Sequence, residues 1–99
     1  MSKRVFVETH DLLFRAKLRS AAASAGAELA RDAAGCDLVV LEAQRAGAAE
    51  RIRGLAARGI RVLAYGSHVD AESLRIAREA GAVAVPNSQV ETRLREMLA

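Results

Sequence analysis

The residues best suited to chemistry in this 99-residue chain are two histidines in similar surroundings. His10 lies in Thr9-His10-Asp11 and His68 in Ser67-His68-Val69-Asp70. Each follows an apolar run, Val5 to Val7 in the first case and Val62 to Tyr65 in the second. If those runs are strands of one parallel sheet, both imidazoles reach its carboxyl edge, where ligands gather in open α/β sheets. Asp11, Glu42 or Asp70 would then lie nearby. Such a set could hold Zn²⁺, or move protons near neutral pH. No spacing among these residues matches a ligand motif, and histidines in polar loops are common. The expectation is therefore no enzyme, no metal and no cofactor.

Other reactive types give weaker signals. Cys36 is the only cysteine, so it forms no internal disulfide, and it precedes the apolar run from Leu38, as a packed side chain would. Gly66 alone does not make a phosphate cradle. Arg51, Arg53, Arg58 and Arg61 suggest a basic face, and hence an alternative role as a nucleic-acid-binding accessory protein. The wider composition argues against it. Net charge is +3: residues 1–50 carry seven basic and seven acidic side chains, and residues 51–99 carry eight and five. Only 3% of the residues are aromatic, which leaves little to stack on bases. No apolar run approaches the roughly 20 residues of a membrane helix, and no leader pattern opens the chain. A soluble cytoplasmic protein without membrane contact is expected.

The elements that would position these residues follow from periodicity. A first strand is expected over Arg4 to Glu8, with Asp11 capping a helix whose core stripe is Phe14, Leu18, Ala21 and Ala25. After Gly26, Ala27 to Arg31 reads as a weak edge strand. Only Asp32 to Gly35 then lead towards the third strand, Leu38 to Glu42, which leaves no room for a full helix. A helix from Ala48 to Arg58 turns Ala48, Ile52, Leu55 and Ala56 inward. The run from Ile60 to Tyr65 is a buried strand, and Asp70 caps a helix that faces Leu74 and Ala77 to the sheet. Gly81 ends that helix before a last strand, Val83 to Val85. Ser88 and Glu91 form a capping box for a final helix with Val90, Leu94, Met97 and Leu98 inward. Residues 1–99 make one domain.

Three stretches carry a family resemblance. VLAYGSHVDAESLRIAREAGA resembles the fourth strand and fourth helix of bacterial response-regulator receiver domains, REAGA being its most typical piece. VFVETHDLLFR looks like their first strand and acidic turn. CDLVVLE looks like their third strand, which normally ends in the phosphorylated aspartate. The resemblance implies a flavodoxin-like three-layer sandwich with a five-stranded parallel sheet of order 2-1-3-4-5, its second helix short or missing.

It also implies a degenerate phosphorylation pocket. A receiver holds Mg²⁺ with an acid pair after strand 1 and an aspartate after strand 3. A hydroxyl after strand 4 and a lysine after strand 5 complete the site. Here Glu8 and Thr9 stand at the pair, Glu42 at the acceptor, Ser67 at the hydroxyl and Ser88 near the lysine. Such a site is not expected to accept a phosphoryl group, although Glu42 could stand in permanently for a phosphorylated aspartate. The implied function is a stand-alone, phosphorylation-independent signalling module that binds another protein or a second copy of itself. Ile76, and Leu12 with Leu13, are the candidate contact residues, Ile76 on the fourth-helix, fifth-strand, fifth-helix face that receivers often use.

Overall fold

The apolar runs pair as five parallel strands in a computed structural model that describes residues 2–99. They are β1 (Arg4–Glu8), β2 (Glu28–Leu29), β3 (Leu38–Glu42), β4 (Arg61–Gly66) and β5 (Val83–Pro86), in the order β2-β1-β3-β4-β5. Four α-helices cover the sheet: α1 (Leu12–Ser24), α2 (Ala48–Ala57), α3 (Ala71–Ala80) and α4 (Val90–Leu98). Helices α1 and α4 pack together on one face, α2 and α3 on the other. This is the expected flavodoxin-like sandwich with one helix fewer.

Strand β3 shows why the sheet is apolar through its thickness. Leu38 and Val40 join the core under α1 and α4, while Val39 and Leu41 join the core under α2 and α3. All four are essentially inaccessible to solvent. A strand buried on both faces reads as a continuous apolar run, because each successive side chain meets a different helix layer.

The register explains the absent second helix. Parallel strands normally need a crossover of about a dozen residues or more, since the chain must return along the strand before starting the next one. Leu29 of β2 and Leu38 of β3 both pair with Val5 of β1, so the two strand ends lie level across it. Residues 30–37 therefore have to step over a single strand, a span of about 10 Å at normal strand spacing. Ala30 donates to the Val5 carbonyl at the start of this connection, and Asp37 donates to the Arg4 carbonyl at its end. Between them Ala33 and Cys36 turn into the core beneath α2 and α3, and supply the apolar cover that a helix would have given. The buried thiol of Cys36 is pushed up from its ordinary range by burial.

Three local expectations differ from the structure. Ala25 leaves the α1 stripe because the helix ends at Ser24; Ala25 is its exposed C-cap, and Ala22 is buried with Leu18 and Ala21 instead. Ala56 is exposed on α2, where the inward face is Ala48, Ile52 and Leu55. The Ser88–Glu91 capping box does not form. Asn87–Gln89 make a 3₁₀ turn ahead of Val90, so Ser88 lies within a turn and no side chain caps α4. The other two caps form as expected. Asp11 accepts from the backbone N–H of Leu13 and Phe14, and Asp70 from the N–H of Ser73.

Candidate functional site

Thr9 organises the carboxyl edge of the sheet. It is the one buried polar residue among those described, at 3% exposure. A hydroxyl has one proton to give and two lone pairs to offer, and Thr9 uses all three. It donates to Glu42 Oε1, accepts from the Tyr65 hydroxyl at 2.7 Å, and accepts from the Asp11 N–H at 3.2 Å. Glu42 Oε1 also accepts from the His10 N–H at 2.8 Å. A continuous chain thus runs from Tyr65 in β4 through Thr9 after β1 to Glu42 at the end of β3. Phe14 of α1 stacks on the Tyr65 ring at 5.0 Å between centroids. Burial pushes the Tyr65 phenol up to about 12, with the Glu42 and Asp11 carboxylates adding to the shift.

Glu8 has a different fate, set by the pleat. Glu8 pairs in register with Leu41, so Glu8 shares a face with Leu41 while Thr9 and Glu42 turn to the other. On the α2 side Glu8 meets two guanidiniums. Arg45 donates to its Oε2 at 2.5 Å, and Arg51 donates to both of its oxygens at 3.2 and 2.7 Å. The hydrogen bond to Glu8 raises the pKa of Arg51 further.

The magnesium site of a receiver does not fit these residues. Glu8 is committed to two arginines, and Thr9 and Glu42 turn to the opposite face. Among the described residues no group of three His, Cys, Asp or Glu side chains is placed to hold a metal ion. That includes His10 and His68, both of which are exposed.

A pit of about 140 Å³ remains beside Glu42, lined by Asp11, Phe14, Gln44, Tyr65, Gly66 and Asn87 as well. Its charged side chains are the two carboxylates; no cation lines it. Ser67 and Ser88 are not among its walls. The Ser67 hydroxyl accepts from the Val69 N–H in its own loop, and Ser88 faces a separate hollow with Thr92 and Glu96. Asn87 occupies the pit where Ser88 was expected. Gln44 bridges the edge by accepting from the Ser67 N–H at 3.2 Å, and its oxygen lies 3.3 Å from where a Cβ on Gly66 would stand.

Solved structures of the same architecture now identify the scaffold. NtrX from Brucella abortus matches with a TM-score of 0.76 at 18% identity, over 98% of this chain. The chain spans only 26% of that NtrX chain. The signal receiver domain of NarL from Mycobacterium tuberculosis matches with a TM-score of 0.73 at 20% identity, over 97% of this chain and 92% of its own. A CheY-like protein, TadZ, from Pseudomonas aeruginosa PAO1 matches with a TM-score of 0.74 at 17% identity, over 97% and 96%. This is a receiver fold. No protein-family model matches the sequence, and no curated protein does.

Within the receiver fold the candidate contact residues separate. Leu12 and Leu13 are 73% and 76% exposed in the first turn of α1, and Val69 in the β4–α3 loop is 80% exposed. Ile76 is partly exposed but lines the groove between α2 and α3, with Ala48, Ala49 and Arg53. It turns towards α2, whereas Arg78 is the α3 side chain that reaches β5, donating to the Ala84 carbonyl. The four arginines of the supposed basic face also disperse. Arg51 is bound to Glu8 and Arg53 lines the α2–α3 groove, while Arg61 at the start of β4 donates to the Met97 carbonyl. Residues two apart on a helix point about 200° apart, so Arg51 and Arg53 cannot share a face.

Sequence reasoning placed Gln44 and Asn87 at this edge but did not find Arg45, Arg51 and Tyr65 as members of it. Tyr65 carried a usable signal, since a tyrosine in a buried strand needs a partner for its hydroxyl.

Proposed function

We propose that this chain is a phosphorylation-independent receiver-like module that acts by binding another protein, without catalytic activity, metal or cofactor of its own. The observation that carries the reading is the double ion pair of Glu8 with Arg45 and Arg51. Two fixed guanidiniums neutralise the carboxylate that a divalent cation would need. Glu42 adds to this. A phosphoryl group on it would displace the bonds from Thr9 and His10 and would stand beside Asp11, with no cation in the pit to balance it. The Tyr65–Thr9–Glu42 chain then keeps the edge in a single state, and Glu42 serves as its fixed anchor.

Leu12 and Leu13 are the proposed contact, because they are adjacent, apolar and largely exposed at one corner of the fold. Acetyl phosphate with Mg²⁺ should leave the intact mass unchanged; a stable gain mapped to Glu42 would overturn the reading. In parallel, proteins retained by the wild type should be lost by Leu12→Glu/Leu13→Glu. These substitutions suit the first turn of a helix, where negative charge meets the helix dipole. Retention of the same proteins by the variant would remove the corner as the contact. Sedimentation of both forms tests whether the partner is a second copy.

A further inference from the structure

The short β2 leaves a groove that neither the phosphorylation pocket nor the protein-contact reading uses. Because β2 leaves the ladder after Leu29, β1 beyond Val5 has no paired strand on that side. The space above it is a groove of about 590 Å³, within the range of small-ligand sites. Phe6, Glu8, Arg15, Arg19, Arg31 and Arg45 stand in its walls. Glu8 is committed to Arg45 and Arg51. Arg15, Arg19 and Arg31 have no carboxylate within ion-pair distance among the described residues.

We propose that this groove binds a small molecule carrying two linked phosphate groups. Three like charges around one concavity repel each other, and an anion seated among them relieves that repulsion. Guanidinium is the side chain best matched to phosphate, since its planar fork donates two parallel hydrogen bonds. Arg15 is already oriented, with Nη2 donating to the Thr9 carbonyl at 3.1 Å. Charge decides the number of phosphates. One monoester carries about −1.5 to −2 at neutral pH, which falls short of three guanidiniums, and a second linked phosphate makes up the difference. Among the described residues Phe6 and His10 are the only rings in its walls, so the groove lacks the series of stacking platforms on which single-stranded nucleic acid is held.

The proposal goes beyond the protein-contact reading, and its failure leaves that reading untouched. The test is thermal unfolding and calorimetric titration with inorganic pyrophosphate at fixed ionic strength, without added metal. Saturable stabilisation is expected, at least tenfold tighter than for orthophosphate or sulfate. Arg19→Gln/Arg31→Gln should weaken it at least tenfold while leaving the circular dichroism spectrum unchanged. Arg93→Gln/Arg95→Gln on α4 should bind as the wild type does. Three results would each overturn the proposal: no saturable binding, equal response to sulfate, or binding retained in the Arg19/Arg31 variant. Tighter binding to a single-stranded oligonucleotide, growing with its length, would overturn it in favour of nucleic acid.

Discussion

The Tyr65–Thr9–Glu42 chain makes unequal demands on its members, and a double-mutant cycle exposes the difference. Tyr65→Phe removes one hydroxyl from a site with 3% exposure. Thr9 Oγ1 then still donates to Glu42 and still accepts from the Asp11 N–H. No buried group is orphaned, so the expected cost is that of one net hydrogen bond, about 1 kcal/mol. Thr9→Val keeps the shape but deletes the hub. Glu42 keeps the His10 N–H and some access to solvent. The Tyr65 hydroxyl keeps neither, and an unsatisfied buried donor adds its desolvation penalty, for a total of roughly 2–3 kcal/mol. In the double variant that orphan disappears, so its cost should fall below that of Thr9→Val alone, to about 1–2 kcal/mol. The coupling between the sites is then about 2 kcal/mol, well above the 0.3–0.5 kcal/mol scatter of independent sites. Urea denaturation with a common m-value measures each corner. In a chain of this size, 1 kcal/mol also moves Tm by about 4–8 °C. Costs that simply add, or a Tyr65→Phe loss equal to that of Thr9→Val, would refute the hub reasoning.

Burial of Tyr65 and the two classes of glycine give two further outcomes. Tyr65 is the only tyrosine in the sequence, so absorbance at alkaline pH reports it alone, and it should stay protonated until about pH 12. A folded pKa raised above the unfolded value, about 10, contributes stability below pH 10 and loses it as pH rises towards 12; ionisation near 10 in the native state would contradict the burial argument. Glycine replacements should split in sign. Gly54→Ala, inside α2 with open space at its Cβ, should stabilise by about 0.5–1 kcal/mol. Gly81→Ala, at φ +116° on the C-cap of α3, should destabilise by about 1–2 kcal/mol, and thermal melts of both would show any failure of that ordering.

What could be read from the sequence was what depends on local pattern. The apolar runs, Asp11 and Asp70 as caps, Gly81 as a stop, and the lack of room for a helix after Asp32 all reside within a few residues of one another. The strand order came with the receiver resemblance. The pairing of Glu8 did not show, because it depends on which face each residue takes at the end of a strand. A shift of one residue in the register of β1 against β3 would have brought Glu8 and Glu42 together. Ile76 was misplaced for a related reason. Its distance from the Leu74–Ala77 stripe was evident, but which neighbour lay beside it depended on α2 packing against α3. The arginine groove was illegible for the same cause: Arg15, Arg19, Arg31 and Arg45 belong to three separate segments that converge only in the fold.

The truncated β2 and the arginines around Glu8 bear on one another. A carboxylate with little solvent access is costly unless it is paired, and Glu8 is only 16% exposed at its side chain. In a receiver the metal meets that need from the carboxyl edge, with the second acid and the acceptor aspartate sharing the ion. Thr9, next to Glu8, brings no charge of its own, and compensation for Glu8 comes from the chain itself. The β3–α2 connection supplies Arg45, and the second turn of α2 supplies Arg51, both on the face to which the pleat directs Glu8. Once they are in place, restoring an acid at Thr9 would add a charge against Glu42 without freeing Glu8. It would also remove the hydroxyl on which Tyr65 depends. Building a metal site here would thus require removal of both arginines as well as an acid at Thr9. The commitments of Glu8 and Thr9 lie in the packing on both faces of the sheet.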